Sequence, residues 1–339
     1  MLYVCFYERT DVNNNMEHVH KGEWVMPIKI KDSLPAQKTL ESENIFVMTE
    51  YRAMHQDIRP LHVLILNLMP TKIVTETQLL RKLSNTPLQV EVEFLQTASY
   101  QPKHVEPSHL ETFYKYFDEI KDRNFDGMII TGAPLDYTDF EDVAYWDEIC
   151  QIMEWSKSHV HCTLYMCWAA FAGLYYHYDI KNIYLPEKLS GVYKHHVLKK
   201  KSPLFRGFEN IFHAPQSRAM TVRREDVEKV EELELLAFSD EAGVTIVKSA
   251  DSSKFFITCH LEYDADTLAL EYKRDLEKGM KPHIPVNYFP EDNPEAEPVM
   301  CWCSAGQLFF SNWLNYYVYQ STPYDVGDIS NNIQKRDMD

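Results

Sequence analysis

The sequence predicts a doubly wound α/β fold on a mostly parallel sheet. Three observations carry this prediction. Leu61 to Met69 is a continuous apolar run ending at Pro70, which suits a strand buried on both faces. Strand-like and helix-period segments alternate from there to about residue 180. Three of the strands end in short turn-forming or reactive sequences: Asn67-Leu-Met-Pro70, Thr131-Gly-Ala-Pro134 and Cys167. Ligands of such sheets bind beyond the carboxyl ends of the strands, so those three ends are the first suspects for a site.

The elements follow in order. Residues 26–60 read as an amino-terminal arm interrupted by Pro27, Pro35 and Pro60. After the first strand, Thr75 to Leu83 has helical spacing, and Leu88 to Leu95 alternates Val90, Val92 and Phe94 against Glu91 and Glu93. His109 to Ile120 reads as a helix, Phe125 to Thr131 as a strand, and Tyr145 to Ser156 as a helix. Cys162 to Met166 is a short apolar strand, and Trp168 to Tyr176 turns helical with small residues at Ala169, Ala170, Ala172 and Gly173. Beyond residue 180 the character changes. Leu233 to Phe238, Gly243 to Lys248 and Lys254 to Cys259 read as successive, partly antiparallel strands. Asp264 caps a helix through about Lys278. Residues 281–305 read as a long ordered loop, and Gln307 to Tyr319 as a last helix docking on the core.

Composition narrows the function classes. The chain has 339 residues with 45% hydrophobic and 13% aromatic content, enough for a substantial core. A formal charge of −17 argues against nucleic acid or a membrane surface as the main partner. No apolar run approaches a membrane span. Seven cysteines without a disulfide pattern or a metal-knuckle spacing point to a reducing cytoplasm and to no metal site. Residues 1–25 read as a weakly ordered extension, or as an over-long start with Met26 as the natural one, and 326–339 as a polar tail.

Cys167 sits where strand turns into helix. A side chain there is held under the amino end of a helix, whose dipole and free N–H groups favour a thiolate and an oxyanion. A buried structural cysteine fits the same local pattern. Farther on, His260 and Glu262 lie at i and i+2 on an expected strand extension, where both would point to one side. A carboxylate so placed would orient an imidazole that serves a thiol.

With these residues in view, the chain resembles the homoserine O-acyltransferases of the homoserine transsuccinylase family, from Met26 to about Asp325. The resemblance rests on Val63-Leu-Ile-Leu-Asn-Leu-Met-Pro70, Thr131-Gly-Ala-Pro-Leu135, Cys167-Trp168, Glu187-Lys-Leu-Ser-Gly-Val-Tyr193, Asn287-Tyr-Phe-Pro290 and Ser311-Asn-Trp-Leu-Asn-Tyr-Tyr-Val-Tyr-Gln320, among other stretches. It implies a single acyltransferase domain over 26–325 with the class I glutamine-amidotransferase-like (flavodoxin-like) fold, additional strands and a C-terminal helix. It also implies a homodimer and no cofactor, with acetyl-CoA or succinyl-CoA as co-substrate. By resemblance, Cys167 is the acyl-accepting nucleophile, His260 the general base and Glu262 its support. Lys188, Ser217 and Arg274 contact the amino-acid acceptor, L-homoserine or L-serine. Backbone N–H groups of Trp168 and of the Gly132–Ala133 turn hold the oxyanion. The family position that goes with succinyl-CoA as Gly and with acetyl-CoA as Glu is Asp136 here, which favours acetyl by like-charge repulsion. The chain departs from the family at Cys259-His-Leu-Glu262, at Phe171 and at Gln216, all around the pocket. A hydrolase or amidotransferase on the same fold, or a silent binding protein, stays open at this point.

Overall fold

The computed structural model describes residues 28–329, apart from 32–33, 43–47, 50–59, 100–104, 136 and 324–325. The expectations for residues 1–25 and for Asp136 therefore lie outside the described residues, as do all but the first four residues of the 326–339 tail.

One sheet of twelve strands organises the described chain. Its central part is parallel and runs β4 (Val90–Leu95), β3 (Leu61–Leu66), β6 (Phe125–Ile130), β7 (Val160–Met166) and β12 (Lys254–Ile257). Short β1 (Ile28–Ile30) and β2 (Met48–Thr49) of the amino-terminal arm extend one edge, also in parallel. Antiparallel pairing begins at β12. From there β11 (Gly243–Ser249), β10 (Leu233–Ser239), β8 (Ile183–Val197) and β9 (Ile211–Thr221) complete the other side.

The innermost strands β3, β6 and β7 are mostly apolar and buried because both faces are covered. Alternate side chains enter opposite layers. Val63, Ile65, Ile129, Leu164, Met166 and Ile257 join one cluster with Leu79, Leu80 and Leu83 of α2 (Lys72–Leu83). α1 (Ala36–Ser42) lies on the same side, where Ala36 and Leu40 join that cluster. Leu64, Leu66, Met128, Ile130, Tyr165 and Phe256 join the other, with Ile149, Ile152 and Met153 of α4 (Trp146–His159) and Ala169 and Ala172 of α5 (Trp168–Tyr178). This is the doubly wound arrangement expected from the sequence.

Several elements differ from the sequence expectation. The helix expected over 109–120 is α3 (Pro107–Phe113), followed by two-residue strand β5 (Tyr114–Lys115) and a short 3-10 turn, Phe117–Glu119. The helix ends because Tyr114 is drawn into β pairing with β4, its hydroxyl held by buried Glu76 and Asn67. The long antiparallel pair β8–β9 was not foreseen. Its sequence carries Pro186 and scattered charges on a partly exposed sheet edge, which masks the period of a strand. The last helix starts inside the expected loop, as α8 (Cys303–Asn312), and continues as π-helix over Trp313–Tyr319. α6 (Arg224–Glu228) and α7 (Thr267–Glu277) complete the helices of the described residues.

α5 lies against the sheet at Gly173. A Cβ there would meet ring atoms of Phe256 and Tyr165, each at 2.8 Å. Both rings are fully buried, so neither can swing away. Gly173→Val should destabilise the chain by at least about 1 kcal/mol, the usual cost of overpacking a filled core. Urea unfolding checks this; an unchanged midpoint would mean that α5 can lift from the sheet without cost.

Candidate active site

Cys167 is the residue between β7 and α5, with φ 50° and ψ −115°. A side chain other than glycine pays for such a conformation, on the order of 1–3 kcal/mol, and it persists only where its surroundings enforce it. Here the Cys167 N–H donates to Ile257 O at 2.7 Å and its carbonyl accepts from Ala170 N–H at 2.9 Å. The turn after β6 closes over it: a Cβ on Gly132 would lie 3.2 Å from Cys167 Cβ and 3.7 Å from Sγ. Trp168 opens α5, where a backbone N–H has no acceptor within the helix. Ala133 lines the same cleft.

His260 and Glu262 do meet, but not as expected. β12 ends at Ile257, and residues 258–264 form an irregular turn rather than a strand extension. The contact comes from this turn: His260 Nδ1 lies 2.6 Å from Glu262 Oε1. The His260 N–H donates to Pro215 O at 2.8 Å, and its ring stacks on Tyr263 at 4.0 Å between centroids. With Nδ1 committed, Nε2 is left buried without a hydrogen bond of ordinary geometry. Burial opposes the charge on the ring. The Cys167 sulfur and the Glu262 carboxylate outweigh it, by charge and hydrogen bonding, and hold the imidazole well above its ordinary value.

The three residues expected to hold the acceptor share one cleft with Cys167 and His260, together with Met69, Pro134, Leu135, Phe171 and Tyr263. It encloses about 560 Å³, part of it open to solvent. What the sequence did not show is the carboxylate at their centre. Glu271 accepts from the Ser217 hydroxyl, accepts from Tyr263 OH at 2.8 Å, and lies 3.3 Å from Lys188 Nζ. Burial pushes the Glu271 carboxyl up; Lys188, the Ser217 hydroxyl and His260 prevail and hold it below its usual range. Arg274 pairs with Asp275 at 2.8 Å. The available signal was helical spacing, since Glu271 and Arg274 are one turn apart on α7.

The departures from the family pattern converge on one buried group. Arg218 donates from Nε to Gln216 Oε1 at 2.9 Å and sits 5.5 Å over the Phe171 ring. Its guanidinium also donates to the carbonyls of Met220 and Ala242. Burial lowers its pKa to about 10, against the opposing influence of Cys167, Cys259 and Tyr193. Cys259 is fully buried in the apolar core, and burial pushes its thiol well up. It packs as a small hydrophobe rather than competing with Cys167. Among the described residues no group of three or more His, Cys, Asp or Glu could hold a metal ion. No helix there is long and apolar enough to cross a membrane.

The sheet order and the cysteine turn define an α/β protein of the glutamine-amidotransferase-like fold. A solved glutamine amidotransferase from Thermotoga maritima matches with a TM-score of 0.52 over 78% of this chain and 100% of that one, at 13% identity, a likeness of fold alone. Sequence sets the family within that fold. The model of the homoserine O-succinyltransferase family matches residues 27–324, and the chain belongs to that family of acyltransferases. Three curated relatives bear the name homoserine O-acetyltransferase. The one from Acetivibrio thermocellus is 54% identical over 90% of this chain and 100% of its own length. That from Methanomethylophilus alvi is 56% identical over 90% and 98%. That from Thermotoga neapolitana is 56% identical over 90% and 100%.

The raised His260 value has a sign that can be tested. A group that binds its proton more tightly when folded adds stability that is full below its unfolded pKa, about 6.5, and is lost as pH rises through the folded value. The stability difference between wild type and His260→Asn should therefore shrink as pH increases above about 6.5. Denaturant melts across neutral and alkaline pH would show it; a flat difference would mean a neutral ring in the resting protein.

Proposed function

We propose that the chain transfers an acetyl group from acetyl-CoA to the hydroxyl of L-homoserine through a thioester on Cys167. The product is O-acetyl-L-homoserine, a precursor for methionine biosynthesis. The observation that carries this reading is the strained Cys167 turn beside the hydrogen-bonded His260–Glu262 pair. The names of the curated relatives support acetyl as the donor group. A soluble cytoplasmic homodimer without cofactor fits this role.

The geometry supports a two-step route. The Cys167 thiolate attacks the thioester carbonyl, and the Trp168 and Ala133 N–H groups receive the oxyanion. The carbon–sulfur bond to CoA breaks, and the leaving thiolate takes the proton from His260. Acylation also removes the negative sulfur that helped to hold that proton. Neutral His260 then accepts the proton of the homoserine hydroxyl as its oxygen attacks the acyl carbon, and Cys167 leaves as thiolate. Homoserine is a zwitterion. Glu271 suits its ammonium group, and Arg274, Lys188 and Ser217 suit its carboxylate.

Cys167→Ala should abolish both CoA release and product formation, and intact mass should show an acetyl adduct on the wild type when acceptor is withheld. Turnover without any adduct would replace this route by direct transfer. Release of free acetate without O-acetylhomoserine would make the chain a hydrolase.

Asp136 carries the donor assignment. If Asp136 sets donor choice as the family position implies, Asp136→Gly removes a charge that would repel a succinyl carboxylate and should raise the succinyl-to-acetyl ratio of kcat/KM at least about tenfold. A wild type that already prefers succinyl-CoA would overturn acetyl as the donor.

A further inference from the structure

Glu262 is buried, and only one of its carboxylate oxygens has a partner. Oε1 meets His260, while Oε2 is enclosed without a hydrogen bond. A carboxylate in such surroundings needs nearby positive charge. His260 supplies it only while protonated, and in the route above it gives up that proton in each turnover. A permanent cation must therefore stand elsewhere.

Lys82, on the inward face of α2, is 2% exposed. Burial pushes its pKa down, opposed by Cys303 on α8 and by Glu262 and Asp264 on the 258–264 turn. Neighbouring Arg81 acts against Lys82 and is itself committed to Asp264 by an ion pair. The absence of a side chain at Gly306 of α8 leaves room for the Lys82 tip. A Cβ built there would lie 3.1 Å from Lys82 Nζ and 2.4 Å from the carbonyl oxygen of Leu261, the residue between His260 and Glu262. The lysine tip thus lies under the turn that carries both site residues. The same turn is tied to α8 by Trp302 Nε1, which donates to Tyr263 O at 2.9 Å. It is tied to α2 by Arg81, paired with Asp264, and by Gln78 Nε2, which donates to Asp264 Oδ2 at 3.5 Å.

We propose that Lys82 is a positioning residue for acyl transfer, a buried ammonium group that compensates the Glu262 carboxylate and so keeps His260 aimed at Cys167. This rests on the reading that His260 and Glu262 serve Cys167. Lys82 does not touch substrate; it acts through Glu262. Among the described residues, His260, Cys259 and Tyr263 also interact with Glu262, and none of them is a permanent cation.

A double-mutant cycle on the full chain tests this, with acetyl-CoA and L-homoserine as substrates. Lys82→Met should lower kcat at least about tenfold while leaving both KM values within about twofold. In a Glu262→Gln background, where no carboxylate charge remains to compensate, Lys82→Met should change kcat by less than about twofold. Equal losses in the two backgrounds would mean that Lys82 acts on the fold and not through Glu262, which overturns the proposal, as does an unchanged kcat in Lys82→Met. Should the single variant fail to fold, the double variant, which removes the buried cation and carboxylate together, is compared with Glu262→Gln alone. Equal kcat then supports the proposal and a further loss overturns it. Failure of the triad reading shows separately, as a Glu262→Gln enzyme with undiminished kcat.

Discussion

The parallel pairing of β7 with β12 is the constraint on which the site depends. Met166 is in register with Ile257, so the residue after each strand end emerges at the same edge of the sheet. Cys167 N–H then closes onto Ile257 O, which holds the cysteine in its positive-φ turn. Three residues past Ile257, the segment after β12 delivers His260. Cys167 and His260, ninety-three positions apart in sequence, are neighbours because two strands share a register.

Around that edge the molecule concentrates charge where water is scarce. Cys167, Arg218, His260, Glu262 and Glu271 are largely buried, and each is balanced by a neighbour rather than by solvent. Burial raises the energy of every uncompensated charge, so a change of charge at one member is felt by the others. In the proposed route, acylation of Cys167 would be such a change.

The unusual residues near the pocket fit the same principle. Gln216 and Phe171 both engage Arg218, one by a hydrogen bond and the other through its ring. Together they support one buried cation beside Cys167.

Much of this was legible in the sequence. Continuous apolar runs separated by helical spacing reveal strands buried on both faces, because burial imposes a local period on the chain. The strand-to-helix cysteine and the His-x-Glu pair were readable for the same reason, each being a short pattern with a chemical use. The resemblance to a known family then connected them and brought in Lys188, Ser217 and Arg274. Other features were settled only by tertiary structure. The turn at 258–264 departs from a strand because the Pro215 carbonyl, Trp302 and Gly306 hold it in place from distant parts of the chain. The β8–β9 pair forms despite a sequence without a clear period, because Val192, Val197, Phe212 and Ala214 find a core assembled from distant segments. Glu271 and Lys82 were silent in sequence because an isolated acid or lysine on a helix reads as a solvated charge. Their roles arise from burial beside opposite charges, a long-range property that no local spacing encodes.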